Sequence, residues 1–231
     1  MWQAIGDALL LLGRLDREVA SIAALSLRVS LTAVAIGCLV GLPLGALLAV
    51  ARFPGRGAVV AVLNAFMGLP PVVVGLVVYL LLSRSGPLGP LGLLFTPTAM
   101  IVAQAVLVTP LLAALGRQVV EDADRELGEA LRSLGLSAWQ RARTLVYDAR
   151  FSLVVAVLAA FGRAAAEVGA VLVVGGNIAG FTRTMTTAIS LETSRGDLPL
   201  ALALGLLLIG LVLGVNLLAA GLRAYAMRAH G

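Results

Sequence analysis

Apolar runs long enough to cross a bilayer recur five times along the chain, at 29–51, 58–82, 98–115, 151–174 and 198–222, with polar stretches between them. A helix needs roughly 20 mostly apolar residues to span the hydrocarbon core, so each run predicts a transmembrane helix. Four of the runs hold no charged residue; the fourth in order carries Arg163 and Glu167. Ahead of them, Leu9, Leu12 and Leu15, with Val19 one turn on, form an amphipathic pattern in residues 1–20 that is expected to lie at the membrane interface. The opening Met1-Trp2-Gln3-Ala4 lacks the basic start of a signal peptide, so no cleavage is expected. The fold class expected is all-α, one polytopic transmembrane domain over residues 1–231.

Gly68-Leu69-Pro70-Pro71 falls in the middle of the second run. Two prolines remove two backbone donors and clash with the preceding turn, so a break is expected. Carbonyls freed in lipid must be satisfied inside the protein, which puts the break either in a packed interior or beside a water-filled pathway. Pro70 and Pro71 are pathway candidates on the second reading. No second broken run mirrors this one, which weighs against an inverted-repeat carrier.

Between Glu121 and Asp148 the chain becomes polar but keeps a helical pattern. Leu127, Ala130, Leu131 and Leu134 recur at helix spacing among charges. Gly135 is suited to the left-handed conformation that ends a helix, and Ser137-Ala138-Trp139-Gln140 fits a capping box. The spacing therefore predicts helix, glycine turn, helix over 121–148. Its apolar stripe has two possible covers, a soluble partner's groove or the spans of its own subunit.

Composition narrows the class. Hydrophobic residues make up 60% of the chain and charged ones 13%, against about 45–50% and about 25% in soluble domains. The net charge of +5 comes from 17 basic residues, all arginine and all dispersed. They read as an orientation signal, not as a nucleic-acid surface. With five spans, ten arginines share a side with 116–150 and the C-terminus, six lie opposite, and Arg163 lies within a span. The positive-inside rule then expects 116–150 and the C-terminus in the cytoplasm and the N-terminus outside. Cys38 and His230 are the only residues of their kinds, which excludes an intrachain disulfide and a His/Cys metal cluster in one subunit. Lysine is absent, so there is no Lys-bearing phosphate loop. No catalytic constellation is present, and the chain is not expected to be an enzyme.

Glu129-Ala130-Leu131, then three residues and Gly135, resembles the EAA loop of bacterial ABC importer permeases. The triplet ends in Leu instead of Ala, and although Leu145 holds the later aliphatic place, Tyr147-Asp148 stands where that family has Leu-Pro. Met67 to Leu76, Gly175-Gly176-Asn177-Ile178, Thr182 to Ile189 and Gly196-Asp197 resemble the molybdate and tungstate branch, the loop Arg84 to Gly89 and Thr184-Met185-Thr186-Thr187 most of all its tungstate-transporter permeases. The resemblance implies the type I permease fold and a homodimer in a bacterial inner membrane. It also implies cytoplasmic ATP-binding subunits that carry ATP and Mg, and an extracytoplasmic oxyanion-binding protein. This chain itself would bind no cofactor and no nucleic acid. Glu129, Ala130, Leu131, Leu134 and Gly135 would couple it to the ATPase. Molybdate is the alternative substrate, and a stand-alone channel or proton-coupled carrier the alternative mechanism.

Two further groups are candidates for transport. Arg163 and Glu167 are four apart, and each charge alone would cost roughly 2.5–3.5 kcal/mol at a helix centre. They form either a neutralising interior pair or part of a gate. On the outer side Asn177, Thr182, Arg183, Thr184, Thr186 and Thr187 gather donors suited to a tetrahedral dianion around one cation. The other reading is a solvated turn that docks the binding protein, with Glu192, Arg195 and Asp197 adding charge complementarity.

Overall fold

The computed structural model describes residues 2–13 and 17–230, with side chains for all of these except 2–5, 9, 12 and 226–230. The interfacial stripe of Leu9, Leu12 and Leu15, and with it Arg14, Arg228 and His230, falls outside the described side chains. Every regular element among the described residues is helical. In chain order they are α1 Trp2–Gly13, α2 Arg17–Val50, α3 Arg56–Met67, α4 Pro71–Leu82, a 3-10 turn Gly89–Leu91, α5 Pro97–Ser133, α6 Ala138–Asp148, α7 Arg150–Ala165, α8 Gly169–Gly175, α9 Met185–Arg195 and α10 Leu198–His230.

Three helices, in α2, α5 and α10, are long and apolar enough to cross a membrane, and up to five spans result if the bent pairs α3 with α4 and α6 with α7 each count once. The 37 residues of α5 make a rod of about 55 Å, nearly twice the roughly 30 Å hydrocarbon core. The apolar stretch 98–115 and the first arm of the predicted hairpin are therefore one unbroken helix.

The second run breaks where the prolines demand it. Gly68 N–H and Leu69 N–H donate to Ala65 O and Phe66 O, and α4 restarts with Pro71 in its first turn after an extended Pro70. The fourth run departs from expectation: 151–174 is two helices, α7 ending at Ala165 and α8 starting at Gly169. No proline marks that break; a buried carboxylate sits within it, described below.

The residues fall into two compact units. One comprises the described residues up to Ala33, Pro70–Gln104 and Gly162–Gly214; the other comprises Val34–Leu69, Ala105–Phe161 and the described residues from Val215. In the first, Val19 and Ile22 of α2 pack with Met185 and Ala188 of α9 and Leu204 of α10. In the second, Ala46 and Val50 of α2, Val120 and Ala123 of α5, and Ala142 and Leu145 of α6 share a core. Gly37, Gly41 and Gly45 line the α2 face toward α5. A Cβ at Gly41 would stand 2.6 Å from Thr109 O, and one at Gly45 would collide with Ala113 O. Small residues at four-residue spacing let two helix backbones approach where lipid supplies no hydrophobic drive between them.

Candidate functional site

In the first unit two helix breaks meet. Gly169, which opens α8, lies against Val72 in the first turn of α4, so that a Cβ there would be 2.7 Å from Val72 Cγ2. The same built Cβ would lie 3.7 Å from Glu167 Oε1, so the start of α4, just after Pro71, and the break that holds Glu167 both adjoin Gly169. Glu167 is 5% exposed. Its Oε1 accepts from Ala170 N–H at 3.3 Å, satisfying one of the donors that every helix start leaves without an intrahelical partner. Its Oε2 accepts from Arg163 Nη1 at 2.8 Å. Around the gap, Thr186 Oγ1 donates to Glu167 O at 2.8 Å and Gln104 Nε2 donates to Ala164 O at 3.0 Å. Carbonyls at the gap, Glu167 O and Ala164 O, thus find side-chain partners, as a break within an apolar run requires.

The pair is asymmetric. Glu167 is held by the fold from several sides, whereas the Arg163 side chain is 53% exposed and bonded through one nitrogen. The expectation that both lie on one continuous helix face is corrected, because Glu167 has left α7 and sits between α7 and α8.

The predicted outer donor cluster is also in this unit but is not solvated. Thr182, Arg183, Thr184, Thr186, Thr187 and Glu192 are all buried. Thr182 Oγ1 donates to Gly175 O at 2.5 Å and accepts from Ile178 N–H at 3.0 Å, which closes the turn after α8. Thr184 and Thr187 form a reciprocal capping box at the start of α9. Asn177 takes a positive φ of 50° and donates from Nδ2 to Thr187 O at 3.3 Å. Arg183 Nη1 lies 3.5 Å from Glu192 Oε1 and 3.7 Å from Glu18 Oε1. The solvated-turn reading is corrected for these residues: their hydroxyls and charge are spent on joining α8 to α9, because buried polar groups must pair.

In the second unit the hairpin has the predicted local geometry. Gly135 has φ 70°, Gly135 N–H donates to Arg132 O at 2.9 Å and Leu136 N–H to Leu131 O at 3.4 Å, the pattern of a Schellman motif. Both halves of the Ser137–Gln140 capping box are made. An ion pair not foreseen from the sequence ties the arms: Asp124 accepts from Arg132 Nη2 and from the buried Arg141 Nη2, each at 3.2 Å. The only sequence signal for it is that an acidic and a basic residue flank a reversing turn.

The apolar stripe divides. Leu131 packs on the core formed by α2, α5 and α6, while Leu127 and Leu134 remain exposed, as do Trp139 and Tyr147. Glu129 and Ala130 are exposed as well. Folding back onto the subunit therefore accounts for Leu131, whereas Leu127 and Leu134 stay uncovered, and Trp139 lines an apolar hollow with Cys38, Leu39, Leu42 and Pro43 of α2.

A family model described as binding-protein-dependent transport system inner membrane component matches residues 41–226. The chain is 47% identical over 208 residues to a probable anion ABC transporter permease protein of Haloferax volcanii, covering 88% of this chain and 90% of that one. It is 42% identical over 209 residues to the tungstate uptake system permease protein TupB of Peptoclostridium acidaminophilum, covering 90% and 92%. A solved inward-facing MetNI methionine ABC transporter shares the fold with a TM-score of 0.70 at 22% identity, over 87% of this chain and 92% of that one. With its all-helical, membrane-length architecture and a family match over most of its length, the chain belongs to the binding-protein-dependent transport system inner membrane components.

Proposed function

We propose that this chain is the membrane-spanning permease subunit of an ATP-driven oxyanion importer, with tungstate as substrate. Two copies form the pathway, the N-terminus faces outside and the C-terminus the cytoplasm, and an extracytoplasmic binding protein delivers the anion. ATP and Mg are bound by partner subunits. The observation that carries this reading is the α5–α6 hairpin. It is braced by a Schellman turn, a capping box and the Asp124 pairs, yet it leaves Leu127, Leu134, Trp139 and Tyr147 exposed. Exposed leucines on a braced hairpin outside the apolar runs are what a helix-in-groove contact with a soluble ATPase would use. Its coincidence with Glu129-Ala130-Leu131 and Gly135 supports that partner, and the two relatives above support an anion and, within anions, tungstate.

The test is purification of the tagged chain from membranes, followed by uptake in proteoliposomes with ATP inside and metal content read by mass spectrometry. Co-purification of an ATPase and ATP-dependent uptake of tungstate in preference to molybdate and sulfate are expected. Uptake without any ATPase subunit would refute the coupling and leave a stand-alone carrier. Preference for molybdate would correct the substrate alone.

A further inference from the structure

We propose that Arg163 is an oxyanion contact inside the membrane, and that Glu167 behind it sets how tightly the anion is held; this rests on the transport reading above. Arg163 is the one basic residue within the apolar runs. An ionised group at that depth faces the bundle interior or an aqueous cavity, because lipid penalises it heavily. Within its own unit the guanidinium is not enclosed, since its side chain is 53% exposed. Gly162 next to it has open space where a side chain would be, and Ala166 is exposed too. The place is flanked by two small residues, Gly162 and Ala166, and lies beside the break that holds Glu167. Broken helices at membrane depth are tolerated where backbone is buried in protein or lines a water-filled cavity.

The donor count fits a tetrahedral anion. A guanidinium carries five N–H donors in a planar fork. Nη1 is bonded to Glu167 Oε2 at 2.8 Å, and among the described residues Nε and Nη2 have no hydrogen-bond partner. Two nitrogens are therefore left to receive two oxygens of an oxyanion side by side, the bidentate geometry at which arginine excels.

Glu167 gives this contact its transient character. An unpaired cation in a low-dielectric path would trap a dianion, whereas conduction needs a site favourable enough to enter and weak enough to leave. The buried carboxylate is anchored independently by Ala170 N–H, so it remains behind Arg163 and offsets part of its charge. The pair presents its positive end outward.

The test uses the full chain with its ATPase and binding protein, in a Cys38→Ala background that removes the single native thiol. Uptake of tungstate is measured for Arg163→Cys before and after treatment with aminoethyl methanethiosulfonate, which adds an ammonium, and with methyl methanethiosulfonate, which is neutral. Uptake per folded protein should drop at least tenfold in Arg163→Cys and recover severalfold with the cationic reagent only. Glu167→Gln should lower KM and turnover together. Equal recovery with both reagents, no modification of the thiol, or wild-type uptake by Arg163→Gln would overturn the proposal; an unchanged KM in Glu167→Gln would overturn the role of the carboxylate. Wild-type protein that moves no oxyanion would instead overturn the transport reading beneath it.

Discussion

Replacing Gly135 by valine isolates one backbone conformation from its surroundings. A Cβ at this position meets nothing within 4 Å, so no clash contributes and the whole cost lies in holding an L residue at φ 70°. That conformation costs roughly 1–2 kcal/mol for a residue with a Cβ, with valine at the upper end because of its branching. If the hairpin escapes the strain by adopting another turn, the ratio of docking-competent to alternative form falls about 5- to 30-fold, and the apparent affinity for the ATPase falls with the competent fraction, by up to that factor. Gly196 supplies the control. It also ends a helix at positive φ, 82°, with Asp197 N–H donating to Glu192 O at 3.0 Å, and a Cβ there meets nothing either. Gly196→Val carries the same intrinsic strain in the other compact unit and should leave ATPase affinity unchanged. Titration of detergent-solubilised permease with ATPase subunit, alongside membrane yield, reads both variants. Gly135→Asn should fall between wild type and valine, since asparagine tolerates the left-handed region. If Gly135→Val binds ATPase as wild type does, or if both valine variants lose affinity equally, the turn has no specific part in coupling.

Asp124→Asn should loosen α6, because Arg141, 9% exposed, would lose its charged partner; the cost is about 1–3 kcal/mol, and amide exchange in α6 should speed by roughly 5- to 150-fold while α10 is unaffected. Gly41→Val should sharply reduce folded yield, because its Cβ would meet the backbone atoms Thr109 O at 2.6 Å and Ala113 N at 3.1 Å, which no rotamer change relieves; overpacking of this kind costs typically 1–3 kcal/mol or more. Gly210→Val, where a Cβ meets nothing within 4 Å, should express normally. Pro70→Ala with Pro71→Ala should change transport more than yield, read against the reactivity of single cysteines at Val72 and Val73; protection of both in every nucleotide state would place that break away from water.

Several elements were legible because their signals are local. The double proline stops a helix through atoms of its own turn, so the break after Met67 needs no tertiary information. Gly135 and the Ser137–Gln140 box likewise act within a few residues, and the hairpin forms as the spacing predicts. The triplet Glu129-Ala130-Leu131 pointed to the family, and Glu129 and Ala130 sit on the exposed surface that the proposed function requires, while Leu131 packs inward.

The sequence by itself determined the membrane class, the count of apolar runs, the proline break and the turn of the hairpin, since each follows from composition or from neighbours along the chain. The tertiary structure alone decided where the fourth run breaks, because residues 166–168 carry no helix stopper, and the partners that stabilise the gap, Gln104 and Thr186, come from distant positions. It also decided that Arg183 and its threonines are buried, though they read as a polar loop, and that the glycines of α2 touch α5. Polar groups at membrane depth must be satisfied by whatever the fold brings within 3 Å or so, and that proximity is a property of packing that one-dimensional spacing does not encode.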